Sequence, residues 1–198
     1  MFLDPHAKID IFKRSLPHWR QAGVRYFVTF RLADSVPQEK LQAWKIQRND
    51  FINNHPKPWN NSDTQKFHEQ FTNKIEEWLD TGMGTCVLAD DKVSKIVADC
   101  MSHFEAIRYH LGQWVIMPNH IHVVVSPRPG FELENILHSW KSFSSNEINK
   151  YLKLQGRLWQ DESYNQIIRN EMHQYRIDEY IRNNPAKAGI RVHYASFL

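Results

Sequence analysis

Two apolar runs, YHLGQWVIM (109–117) and IHVVVSP (121–127), stand on either side of Pro118-Asn119-His120. A connection that short joins neighbouring antiparallel strands, so a deeply apolar hairpin is the piece around which the rest of the chain must arrange itself. An earlier run, VRYFVTFRL (24–32), is rich in aromatic and β-branched residues and predicts a buried strand. Gly23 precedes it and Asp34-Ser35-Val36-Pro37 follow it with turn chemistry. Apolar spacing predicts helices over 38–54, about 64–80, 91–107, about 132–153 and about 171–183, with HPKPWNNSD (55–63) a loop and Pro185 stopping the last helix. LWQDESYNQIIR (158–169) predicts a further strand. Strand, helices, hairpin, helix, strand, helix is an α+β pattern, expected as one antiparallel sheet with helices packed on one face.

With 198 residues the chain suits one domain, residues 1–198, with a helical insertion around 55–85. No apolar run is long enough to cross a bilayer, and MFLDPHAKIDIFKRS at the start has charges throughout, unlike a secretory signal. Cys86 and Cys100 form no C-x-x-C motif and are expected as buried hydrophobes in a reducing, cytoplasmic setting. A net charge of +3 permits a nucleic-acid partner without requiring one. Eleven histidines raise the question of which stand at ligand spacing.

His120-Ile121-His122 does. Residues two apart on a strand point the same way, about 7 Å apart along the chain, so two imidazoles can converge on one ion while Ile121 enters the core. H-x-H also occurs by chance, but polar rings at the end of so apolar a hairpin need partners, and a metal supplies one. Tyr180 and Asn184 form a second pair, one helical turn apart on one face. Tyrosines in such places commonly only pack. The Asn184 carboxamide could add a third ligand suited to a hard ion such as Mg²⁺ or Mn²⁺. Arg176, one turn earlier, could meet phosphate or lie on a solvated surface.

The run VIMPNHIHVVV (115–125) resembles the metal-binding HUH motif, two histidines separated by a hydrophobic residue. LWQDESYNQIIRN…YRIDEYIRNNPAKAGI (158–190) resembles the C-terminal signature of REP-associated tyrosine transposases, and LPHWR..GVRYFVTFRLADSVP (16–37) and HSWKSF (138–143) look like one branch of that family. The resemblance spans nearly the whole chain in the right order. It implies a ferredoxin-like α+β fold, the two histidines on a central strand, a divalent metal (Mg or Mn), a nucleophilic tyrosine at Tyr180 and an amide ligand at Asn184. Where relatives read Tyr-Asp-His, this chain has Tyr164-Asn165-Gln166, which weakens any help that histidine gives to metal or DNA.

The implied reaction is cutting and rejoining of single-stranded or hairpin DNA through a 5′-phosphotyrosine, by a monomer or homodimer. A phenol with a pKa near 10 is a poor nucleophile at neutral pH, and no general base for it is visible in the sequence. Lys141, Arg157, Arg169 and Arg176 are candidate phosphate contacts, or simply solubilising charges. Trp19 and Trp159 are candidate stacking platforms for unpaired bases, or core residues. Two rival readings stand: a catalytically silent, structure-specific nucleic-acid-binding protein, and a two-histidine metallohydrolase that activates water. The second lacks an acidic residue beside the H-x-H.

Overall fold

The computed structural model describes residues 2–4, 6–7, 10–13, 17–56, 59–189 and 195–196, with backbone alone at 10–13, 17–19 and 61. In chain order the elements are β1 (Asp10–Lys13), β2 (Pro17–Arg20), β3 (Tyr26–Arg31), α1 (Gln38–Asn54), α2 (Asn61–Phe67), a π-helical turn (His68–Thr72), α3 (Asn73–Asp80), α4 (Asp91–Ser102), β4 (Tyr109–Ile116), β5 (His120–Pro127), α5 (Leu133–Leu152), β6 (Tyr164–Ile167), α6 (Glu171–Lys187) and β7 (Ala195–Ser196). β1 and β2 make a small antiparallel ribbon, and the other five strands form one sheet in the order β6-β3-β5-β4-β7. Taken from β3, the path β3-α4-β4-β5-α5-β6 with spatial order β6-β3-β5-β4 is the ferredoxin-like arrangement. Every pairing in it is antiparallel.

Alternation along the strands separates two faces. Tyr26, Val28 and Phe30 of β3, Trp114 and Ile116 of β4, and Ile121, Val123 and Val125 of β5 pack with α4 and α5 in the larger core. The opposite residues, Phe27, Val115, Met117 and Val124, pack with Ile177 and Ile181 of α6 in a second, smaller core. Helices therefore cover both faces, not the one expected. The central strands carry apolar residues on both faces, so either face left bare would expose a large apolar surface.

Three boundaries also differ from expectation. The fourth strand shrinks to Tyr164–Ile167, with Trp159 reaching Leu32 through an isolated bridge. Helix α4 ends at Ser102, not near 107. Helix α6 runs through Pro185 to Lys187. Within the last turn a proline forfeits only one backbone bond, and buried Ile181, Asn184 and Pro185 hold that turn against the sheet. Cys100 is buried as expected, but Cys86 is only half-buried, at a left-handed backbone position with φ 51°.

Helices α1 to α3 make a layer between β3 and α4 with its own small core of Val36, Leu41 and Leu79. The layer is closed by aromatic edges, Trp44 on Phe71 at 6.2 Å and Phe67 on Phe71 at 5.2 Å between ring centroids. Its far end is fixed at Gly84, whose φ of +87° and close approach to the Asp34 backbone exclude a side chain.

Candidate active site

Strand β5 begins at His120, and the two-residue alternation turns His120 and His122 toward α6. Both rings are almost fully buried. Their cross-strand partners on β3 are Arg31 and Thr29. His122 Nδ1 pairs with Thr29 Oγ1 at 2.8 Å, and Phe27 stacks on the His122 ring at 5.5 Å. His120 Nδ1 meets Asn119 Oδ1 at 2.8 Å.

Asn119 decides the His120 tautomer. Its Nδ2 donates to the Leu79 and Met83 carbonyls at 3.2 and 3.0 Å, so the atom facing His120 is the oxygen, which only accepts. His120 therefore carries its proton on Nδ1 and a lone pair on Nε2. That Nε2 lies 3.0 Å from Nε2 of His122. Two lone pairs cannot meet at that distance without a proton or a cation between them. A proton on His122 Nε2 meets the need. A cation meets it equally, with His122 then donating from Nδ1 to Thr29. Burial holds His120 down to about 3 and His122 well below its ordinary value, so both rings are neutral and able to act as ligands.

Helix α6 brings the second pair. Asn170 caps its start by accepting from the His173 N–H at 2.8 Å, and Ile177 and Ile181 seat it on the sheet. Tyr180 then stands with its hydroxyl 3.4 Å from His122 Nε2 and its ring edge-on to Phe27. Asn184 follows one turn later, 1 % exposed, with neither Oδ1 nor Nδ2 hydrogen-bonded. Its amide lies beside the Tyr180 hydroxyl and favours the ionised phenol, but outside hydrogen-bond geometry. A buried carboxamide with both polar atoms unsatisfied costs free energy unless something else binds it. The donor set thus fits a divalent cation: two neutral imidazoles and an amide oxygen around the tyrosine. Among the described residues no three His, Cys, Asp or Glu side chains converge in such a way.

One residue of this site escaped the sequence. Glu76 of α3 lies beside the Tyr180 hydroxyl. Burial raises its carboxyl to about 7, with Asp80 adding to the rise and Lys187 opposing it. Burial raises the Tyr180 phenol well above its usual value, and the negative charges of Glu76 and Asp80 raise it further. No local pattern marks Glu76. It reaches the site because α3 packs across the sheet from another part of the chain.

The remaining candidates separate. Trp159 is buried against Phe30 at 5.0 Å and donates from Nε1 to Ser144 Oγ at 2.9 Å, so it is a core residue and no face is left for a base. Trp19 lies on β2, and its side chain falls outside the described residues. Lys141 donates to the carbonyls of Gln160 and Asp161 at 2.9 and 3.0 Å, tying α5 to the chain before β6. Arg157 is exposed and ion-paired with Asp161. Arg169, just before α6, and Arg176, in its second turn, are exposed. Gln166 sits on β6 opposite Phe27, with β3 between it and the histidines, and its Oε1 accepts from Tyr164 at 3.4 Å.

Residues 87–184, which carry both histidines, Tyr180 and Asn184, match the family model described as Transposase IS200 like. That segment is similar to IS200-like transposases. The helical layer of α1 to α3, including Glu76, lies outside the transposase match. No curated protein matches the chain. Among solved structures, a REP-associated tyrosine transposase bound to a REP hairpin is 15% identical, with 88% of this chain and 75% of that chain covered and a TM-score of 0.43. A candidate transposase from Deinococcus radiodurans is 13% identical, with 83% and 93% covered and a TM-score of 0.42. No helix among the described residues is long and apolar enough to cross a membrane.

Proposed function

We propose that this protein is a transposase that nicks and rejoins single-stranded DNA at hairpins through a 5′-phosphotyrosine on Tyr180, in the manner of REP-associated tyrosine transposases. The observation that carries the reading is the meeting of Tyr180 with His122 at 3.4 Å beside the unsatisfied Asn184 amide. Packing alone gives no reason to gather those polar groups in one buried place. His120, His122 and Asn184 would hold a Mg²⁺ or Mn²⁺ ion. Such an ion supplies charge neutralisation and polarisation at the scissile phosphate. Three neutral ligands leave the ion its full charge for that purpose.

The protein's own part is to position and deprotonate the nucleophile. Tyr180 attacks phosphorus, the bond to the 3′-oxygen breaks, and the strand leaves with a 3′-hydroxyl while its other part stays on the tyrosine. The phenolic proton passes to Glu76, which near neutral pH is poised to accept it, and solvent protonates the departing 3′-oxygen. In rejoining, the 3′-hydroxyl attacks the phosphotyrosine and gives its proton to solvent while Glu76 returns a proton to the Tyr180 oxygen, so the bond energy is conserved and no ATP is needed. Asn119 holds His120 in the tautomer that ligation requires, and Thr29 can accept from His122 Nδ1 when Nε2 serves as the ligand.

The test is covalent capture. Incubated with hairpin oligonucleotides bearing single-stranded flanks and Mn²⁺, the protein should form a denaturant-stable adduct whose peptide map places DNA on Tyr180. Tyr180→Phe should abolish adduct and cleavage and keep DNA and metal affinity, because the ring still packs. His120→Ala should abolish cleavage as well. Attachment through Tyr164 or Tyr175 would overturn the assignment. Cleavage by Tyr180→Phe at the normal rate would make water the attacking group, as in a metallohydrolase.

A further inference from the structure

The helical layer of α1 to α3 does not lie flush on the sheet. Between it and the β3–β6 edge is a cavity of about 320 Å³, at the small end of the roughly 300–1,000 Å³ typical of ligand sites. It touches the active site at two points. Thr29, which holds His122, is in its wall, and so is Glu76, which lies beside Tyr180. Whatever fills it is therefore a close neighbour of the reacting group.

Its walls describe the occupant. One wall is aromatic, with Trp44, Phe67 and Phe71 clustered and the Arg48 guanidinium 5.7 Å over both the Trp44 and Phe67 rings. The sheet side presents Arg31, only 8% exposed, which donates through Nη1 to Leu32 O and Ser35 Oγ. No carboxylate pairs with Arg31 among the described residues, and burial lowers its pKa to about 10. A buried guanidinium of that kind is stabilised by acceptors that a ligand brings. Two carboxylates, Glu76 and Glu162, also line the space. They oppose an isolated phosphate and accept from N–H donors. A flat, neutral group with aromatic faces and an edge of mixed donors and acceptors satisfies all of these walls at once.

We propose that this cavity takes one unpaired nucleobase of the DNA strand, extruded next to the scissile phosphate. The inference rests on the single-stranded DNA reading above. Stacking on the aromatic wall gives affinity, and Arg31 with the carboxylates reads the base edge. The helical layer then acts as a specificity element added to the matched transposase segment.

Photocrosslinking tests it without relying on activity. The probe is a random-sequence 12-nucleotide single strand carrying one 5-iododeoxyuridine, irradiated with the Tyr180→Phe protein so that cleavage does not consume it. Mapped crosslinks are expected on Trp44, Phe67 or Phe71. Arg31→Met should lower their yield roughly tenfold, the loss of one charge-assisted hydrogen bond, while crosslinks elsewhere persist. Lys45→Met, which removes a half-buried charge lining the cavity, should lower the same yield if Arg31→Met proves unstable. Crosslinks confined to the β5–α6 face, or an unchanged yield in both variants, would overturn the base pocket and leave the nuclease reading intact. No crosslink anywhere would overturn both.

Discussion

Glu76 sets the chemistry of Tyr180 at the scale of single residues. A tyrosine buried beside two carboxylates is a reluctant acid, and the reluctance is useful only if one of those carboxylates takes the proton. The Glu76 carboxyl is raised from its ordinary 4.5 to about 7, with Lys187, Asp80 and Tyr180 the charged or titratable groups acting on it. Cleavage should therefore fall as pH drops through about 7 and Glu76 becomes protonated. Glu76→Gln should lower the single-turnover rate by roughly 10²- to 10⁴-fold, the usual worth of a positioned base, and remove that acid limb. The same shift fixes a stability effect of known sign. A carboxyl with a raised folded pKa contributes stability present below about 4.5 and lost as pH rises through about 7. Glu76→Gln should thus match the parent in acid and exceed it above pH 7 in thermal unfolding. A variant that keeps the acid limb would assign the base to another group. The sequence exposed His120, His122, Tyr180 and Asn184 because each pair is local, two residues apart on a strand or four on a helix. Glu76 and the burial of Trp159 are matters of tertiary packing, and no spacing rule reaches them.

Elements place those residues, and the hairpin of β4 and β5 is the one most tightly specified. Its turn is held by Asn119, wholly buried, whose side chain bonds Leu79 O, Met83 O and His120 Nδ1. One side chain thereby joins the end of the helical layer to the first histidine. Asn119→Ala would leave two carbonyls and one imidazole N–H unsatisfied in the interior. The expected cost is about 2–4 kcal/mol in denaturant unfolding. Metal affinity should fall roughly 10- to 100-fold as His120 loses its orientation. A variant that binds Mn²⁺ normally would show that the strand alone orients the ring. Strands β3 to β5 and helices α1, α5 and α6 were legible because their apolar periods are long and regular. The π-turn at His68–Thr72, the short β6 and the passage of α6 through Pro185 were not. In each, packing against a neighbour overrides the local preference of the backbone.

The whole molecule adds a mild electrostatic field to a buried centre. Formal charge is +3, and some of its cations already serve the fold: Lys141 clamps two carbonyls and Arg157 pairs with Asp161. The two-faced ferredoxin-like sheet explains why charge and site are arranged separately. α4 and α5 seal one face, so the candidate centre lies on the other, under α6, with Arg169 exposed just before that helix and Arg176 exposed in its second turn. Binding to hairpin DNA with single-stranded flanks should therefore depend on salt, but not steeply. Three or four neutralised phosphates on a mostly single-stranded ligand correspond to a log–log slope of about −2 to −3. Replacing Arg169 and Arg176 together by Gln should flatten that slope by about 1.4, two phosphate contacts at roughly 0.7 each. Affinity should drop at low salt and converge with the parent at high salt, because only the counterion term has changed. Titration of a fluorescent hairpin across a salt series measures both lines. An unchanged slope would remove Arg169 and Arg176 from the DNA path, and tighter binding to a perfect duplex than to the flanked hairpin would remove single-stranded DNA as the substrate.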